Sequence, residues 1–157
     1  MESIPSKDTI RITASMKKSK LEGSISIDFD LFGLVTNVKE YKLAWNLNNA
    51  LDLALAKQDD IRIDFSDQST ILISYFLHQT ENKKIELLQN KLVSKGTKRN
   101  QYLVPELSQF DFLLKCRDLT GEMTSENVIG LIRNLSVTEY VVKLNFDNLK
   151  SKENLLF

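Results

Sequence analysis

At 157 residues, 42% hydrophobic and 27% charged, the chain has the size and composition of one globular domain, enough to bury roughly 70% of its unfolded surface around a single core. Its 21 basic residues balance its 21 acidic ones, which excludes a global field for nucleic acid or an anionic membrane, so such binding would need a local patch. A single cysteine, Cys116, and a single histidine, His78, exclude an internal disulfide, a Cys-rich metal site and a multi-histidine metal centre.

The opening MESIPSKDTIRITASMKKSK lacks a signal-like apolar core, and no run approaches the roughly 20 apolar residues that span a bilayer. With the lone thiol, this leads us to expect a cytoplasmic protein. Residues 1–22 mix Lys7, Arg11, Lys17, Lys18 and Lys20 with Ser, Thr and scattered apolar positions, too few to offset the entropy of ordering, so a loose N-terminal arm precedes one globular domain over 23–157.

ISIDFDLFGLVT, residues 25–36, alternates Ile25, Ile27, Phe29 and Leu31 against Ser26, Asp28 and Asp30, and predicts a first strand, kinked or bulged near Gly33. Asp28 and Asp30 fall on one side of it, either as a carboxylate pair for a metal or as an ordinary solvated face. Residues 41–57 follow a helical period, with Leu43, Leu47, Ala50, Leu51 and Ala54 in one stripe. Trp45 lies near the opposite side with Asn48, Asn49 and Asp52, a candidate binding surface unless another segment covers the tryptophan.

IRIDF (61–65) and STILISYFLH (69–78) are β-rich runs at hairpin spacing, and KIELLQNKLV (84–93) is a third. Lys83, Lys84, Lys91, Lys95, Lys98 and Arg99 stand against one acid, Glu86, between 83 and 99. The loop at its end, SKGTKRNQ, is either a solvated hairpin tip or, through Lys91, Lys95, Lys98 and Arg99, a patch that tracks phosphates.

LVPELSQFDF, residues 103–112, follows. Pro105 has no N–H and pushes Val104 toward an extended conformation, so strand pairing is interrupted or confined to an edge. Beyond it Phe110, Phe112, Leu114 and Cys116 alternate with Asp111, Leu113, Lys115 and Arg117, a strand with one strongly apolar face; a helix from Pro105 using Leu107, Phe110 and Leu114 is the rival. On that apolar face Cys116 reads as a small hydrophobe and not a nucleophile. Thr124 or Ser125 can cap a second helix striped by Val128, Leu131, Ile132 and Leu135, and 137–146 predicts a last strand. Leu155, Leu156 and Phe157 then dock on the chain's own body or on another chain.

Val104-Pro105-Glu106, three residues, then Phe110-Asp111-Phe112 resembles the signature of a bacterial family named for its IPExxxVDY motif. The LAWNLNNAL helix and the SKENLLF ending are similar to that family as well. The resemblance implies kinship without an activity, and the replacement of the motif's tyrosine by Phe112 removes the hydroxyl that any mechanism relying on a phenol at 112 would need.

No GxGxxG or GxxxxGK[ST] loop occurs, which leaves Glu106 and Asp111 as the carboxylates of interest. Held together in a cleft they would do acid and base work; held apart, Glu106 accepts backbone N–H bonds near the proline turn and Asp111 is exposed or pairs with Lys115. The expected fold is α+β: a two-layer, largely antiparallel sheet with two helices packed on one face. The expected function is a non-catalytic protein-interaction module with no cofactor, using the Trp45 surface or the edge near Pro105. An RNA-associated accessory protein using the basic 91–99 loop is the alternative, and a small-molecule enzyme using Glu106 and Asp111 the second. A homodimer through a sheet edge or the final LLF is a further partner expectation.

Overall fold

Three stretches, LFGLV, IELL and FLLKC, carry apolar side chains on both sides of the pleat, and strands of that kind need cover on both faces. The computed structural model describes residues 10–13, 28–64, 68–93 and 100–157. Its elements in chain order are β1 (Ile10–Thr13), β2 (Asp30–Thr36), α1 (Glu40–Leu51), β3 (Ala56–Lys57), β4 (Ile61–Asp64), β5 (Thr70–Ile73), β6 (Tyr75–Gln79), β7 (Lys83–Gln89), β8 (Lys91–Val93), β9 (Asn100–Tyr102), β10 (Phe112–Asp118), α2 (Ser125–Arg133) and β11 (Thr138–Leu144). Short 3-10 turns sit at Pro105–Leu107, Phe146–Asn148 and Lys152–Leu155.

The main sheet has six strands in the order β11-β2-β10-β7-β6-β3, every neighbouring pair antiparallel. On one face Phe32, Leu34, Ile85, Leu87, Phe112 and Leu114 pack with Leu43 and Leu47 of α1 and with Val128 and Ile132 of α2. The α+β class and both helices on one face are therefore as the periodicity implies. The other face is buried too: Leu31, Leu88 and Leu113 meet Ile61, Ile63, Ile71 and Ile73 of a small sheet, β1-β4-β5, together with the turns around Leu107, Phe146 and Leu155. The main sheet is thus the middle of three layers, as its doubly apolar strands require.

Several boundaries differ from those the sequence suggests. Within the stretch expected to be an arm, Ile10–Thr13 pairs in parallel with β4; the rest of that stretch, and Ile25 and Ile27 of the first predicted strand, lie outside the described residues. Gly33 makes no kink and pairs regularly with Leu113 and Val142. It is needed because the Phe110 ring occupies the place of a side chain, 2.6 Å from where a Cβ would stand. α1 stops at Leu51, six residues early, because Asp52 turns left-handed (φ 56°) and the Asn48 side chain clasps Leu55, accepting its N–H at 2.7 Å and donating to its carbonyl at 3.2 Å.

The run 69–78 is two strands: at Ser74 the chain leaves the small sheet for the main one. The run 84–93 likewise divides at Asn90 into β7 and β8, and β8 pairs with β9 in the basic hairpin. Pro105 begins a single 3-10 turn after an extended Val104 (φ −123°, ψ 98°), so neither a long helix nor a sheet edge forms there. β10 begins at Phe112; Phe110 lies ahead of it in the core on the face away from the helices. Leu113 and Lys115, expected to point outward, are buried.

Candidate functional site

α1 separates its sides sharply. Leu43, Ala44 and Leu47 are buried, while Tyr41 is 66% and Trp45 64% exposed. One turn apart, these two rings share the outer face. Among the described residues no segment covers the tryptophan, against the general preference of that residue for burial. Asn49 and Asp52 are exposed on the same helix. Asn48 is not part of that surface, because both polar atoms of its amide hold Leu55.

The signature residues are separated by task. Val104 and Phe110 are buried, and Phe112 packs on the helix-facing side. The Glu106 carboxylate accepts the Ser151 N–H at 2.6 Å and so holds the final segment of the chain, not the proline turn alone. Partial burial works against its ionisation, but backbone N–H groups of Ser151, Glu106 itself and Lys150 outweigh that and hold its carboxyl below the ordinary value. Asp111 is half-buried and accepts the Thr36 N–H at 3.0 Å, with no bond to Lys115. The two carboxylates engage different segments, and neither lines the two cavities that share Phe29.

What organises the signature is a residue outside it. Asn90 is fully buried, and its amide donates to the carbonyls of Leu107 and Phe110, each at 2.9 Å, while its Oδ1 accepts the Val104 N–H at 2.9 Å. Its backbone completes the clamp, donating to the Asp111 carbonyl and accepting from the Leu103 N–H, both at 2.9 Å. A polar residue at the end of an apolar run was the available signal, for an unpaired asparagine would end such a run only at a cost.

A second group missed by alternation lies on the small-sheet side. Lys115 of β10 stands directly opposite Glu86 of β7, both 3% exposed, with Nζ 3.3 Å from Oε1. The ammonium also donates to the Leu155 carbonyl at 2.6 Å and lies 4.7 Å and 4.6 Å from the ring centroids of Phe29 and Phe157. The Tyr75 hydroxyl donates to Glu86 Oε2 at 2.6 Å, and Phe157 packs edge-on against Tyr75. Burial first, then the hydrogen bond and charge of Glu86, push the Tyr75 phenol far above its ordinary value, so it is a neutral donor. Burial lowers the Lys115 value while Glu86 draws it back. Leu155, Leu156 and Phe157 thus lie against the chain's own body, as one of the two sequence readings had it.

The remaining candidates disperse. Asp28 pairs with Arg117 at 2.9 Å, whereas Asp30 meets Lys143 at 3.4 Å and Ser125. Among the described residues no group of three or more His, Cys, Asp and Glu side chains is placed to hold a metal. Cys116 is buried, which with nearby Asp30 and Asp118 pushes its thiol up. Lys91 is half-buried, and Lys95, Lys98 and Arg99 lie outside the described residues. Among the described residues no helix is long and apolar enough to cross a membrane. No family model matches the chain, and no curated protein or solved structure matches it.

Proposed function

We propose that the chain is a non-catalytic protein-interaction module that docks a partner protein on the outer face of α1. The observation that carries this reading is the Tyr41–Trp45 pair, two large rings one turn apart and about two-thirds exposed. Rigid amphipathic rings of this kind, presented by a helix packed firmly from behind, are the anchors that an apolar groove receives. Lys39 and Lys42 are exposed beside them, so the groove that fits has an acidic rim. Asn49 supplies a hydrogen-bonding flank. The single, buried Cys116 thiol suits a reducing cytoplasmic setting. The proposed kinship with the IPExxxVDY family rests on Pro105, Glu106 and Asp111.

Immobilised full-length chain should retain one protein in stoichiometric amount from a cell extract, and that protein, once purified, should rebind the chain one to one. Trp45→Ala should abolish retention without shifting the melting temperature, because the ring leaves no core contact behind. Lys42→Glu should weaken it by faster dissociation or slower encounter, and added salt should do the same. Equal retention by wild type and Trp45→Ala sinks the reading. So does a Trp45-dependent dimer in sedimentation, which would make the occupant a second copy.

A further inference from the structure

β11 closes one side of the main sheet and pairs with β2 alone, so among the described residues the backbone groups along its other flank have no strand to receive them. At seven residues it is the longest such flank: β3, on the far side of the same sheet, has two, and the outer strands of the two small sheets have three or four. Edges of this length are blunted by a covering segment, a proline or charges that repel a newcomer. β11 has no proline, and Glu139, Tyr140 and Lys143 stand exposed along it. Its register with β2 shifts only between Thr138 and Tyr140, at the start of the strand, and Tyr140–Leu144 pairs regularly.

TEYVVKL is complementary to itself. A two-fold axis perpendicular to the sheet sets two copies of the strand antiparallel and keeps each face of the sheet continuous. Of the three central positions for that axis, 140, 141 and 142, only Val141 brings opposite charges together: Glu139 of each copy faces Lys143 of the other, twice per dimer. An axis at Tyr140 sets Glu139 against Val141, and one at Val142 sets Lys143 against Val141. Glu139 has no ion-pair partner among the described residues, and Lys143 has Asp30 at 3.4 Å, both at the surface. The axis at Val141 also lays the Tyr140 ring, 55% exposed although stacked on Phe110 of its own chain, against Val142 of the other copy, an aromatic and β-branched pair. We propose that the chain forms a homodimer by pairing β11 with β11 of a second copy, antiparallel about Val141, so that two six-stranded sheets join into one. Lys143 is then held between its own Asp30 and Glu139 of the second copy. This surface is separate from the outer face of α1, and the proposal stands without that face.

Sedimentation equilibrium of the full-length chain should show a reversible dimer with a dissociation constant on the order of 10 μM, as suits a small interface, and Trp45→Ala should leave it unchanged. Glu139→Lys sets lysine against lysine and Lys143→Glu sets glutamate against glutamate, each twice per dimer, so either variant alone should dimerise at least about tenfold more weakly. Both positions are exposed, and neither change reaches the core. Mixed in equal amounts, the two variants regain both opposite-charge pairs and should form a heterodimer within about threefold of the wild-type constant. The proposal is overturned by a wild-type chain that stays monomeric through about 1 mM, by a dimer that Trp45→Ala removes, by single variants that dimerise as tightly as wild type, or by a mixture that associates no better than its components.

Discussion

Asn90 does with one side chain what a turn of backbone cannot do for itself. The residues from Val104 to Phe110 form an irregular segment that sinks Val104, Leu107 and Phe110 into the core while Pro105, Glu106, Ser108 and Gln109 stay exposed, and buried irregular backbone must find hydrogen-bond partners outside regular ladders. The Asn90 amide satisfies two carbonyls and one N–H of that segment at 2.9 Å each. Asn90→Ala would strand all three in an apolar surrounding, and at ~1–3 kcal/mol for each orphaned group, less whatever relaxation or an entering water recovers, the loss should be roughly 3–5 kcal/mol. Urea unfolding checks this; a loss below about 1 kcal/mol would show that water replaces the amide. Gly33 and Phe110 make a second residue-scale dependence. A methyl group at 33 would stand 2.6 Å from a carbon of the Phe110 ring, so Gly33→Ala should cost about 1–3 kcal/mol by overpacking. Because Phe110→Val removes the ring that occupies this place, Gly33→Ala combined with Phe110→Val should lose less than the two single losses added together. Strict additivity in that double-mutant cycle would mean that the ring is not what forbids a side chain at 33.

At the scale of elements, the final segment is tied down at four places: Ser151 to Glu106, Asn154 to the Leu103 carbonyl, the Leu155 carbonyl to Lys115, and Phe157 to Tyr75. The carboxylate of the VPEL motif thus works as a latch for a 3-10 turn far along the chain. Its folded value lies below the ordinary carboxyl value of about 4.3, because backbone N–H groups outweigh the burial that opposes them. A depressed value contributes stability that is present above the ordinary value and is lost as pH falls through the folded one. Glu106→Gln should flatten that acid limb and speed hydrogen exchange at the Ser151 N–H at neutral pH; unchanged exchange would mean that the latch is not closed in solution. Much of this architecture was legible beforehand. The pairing of 61–64 with 70–73, the Thr124 cap and the Leu43–Leu47 part of the α1 stripe follow from local periodicity and formed, whereas Ala54 lies beyond the helix and is exposed and Leu131 of the α2 stripe is exposed. The breaks at Ser74 and Asn90 did not follow, because alternation reports that a residue is in a strand and not which sheet receives it. Lys115 reads as outward for the same reason: its partner Glu86 is adjacent only through strand pairing, a relation that a period of two cannot express. The exposure of Trp45 runs against the usual behaviour of tryptophan and depends on what the rest of the chain packs against α1, which local periodicity does not carry.

Across the whole molecule, three layers leave the small-sheet side of the main sheet dry enough that a tyrosine, a carboxylate and an ammonium must satisfy one another. Removing one partner leaves a buried charge exposed to its own desolvation, so Lys115→Met should cost about 3–5 kcal/mol, whereas Tyr75→Phe takes away only a neutral donor. That difference makes the phenol the better probe of how the fold holds protons. Tyr75 has a folded value far above its ordinary value of about 10, raised by burial and then by Glu86. A raised value contributes stability that is whole below about pH 10; above it the unfolded chain releases a proton that the folded chain keeps, and stability falls by ~1.4 kcal/mol per pH unit for this one group. Lys115 acts in the opposite sense. Burial lowers its folded value, so stability rises with pH from that value up to about 10.4 and gains nothing more beyond it. The two slopes oppose each other only between about pH 10 and 10.4, where both groups titrate, and above that only the tyrosine acts. Urea midpoints measured between about pH 10.4 and 11.5 should therefore decline more steeply for wild type than for Tyr75→Phe, while the two curves run parallel near neutrality. Equal slopes in the alkaline range would mean that Tyr75 reaches solvent in the folded state, and that the layer built from the final segment does not seal the pair beneath it.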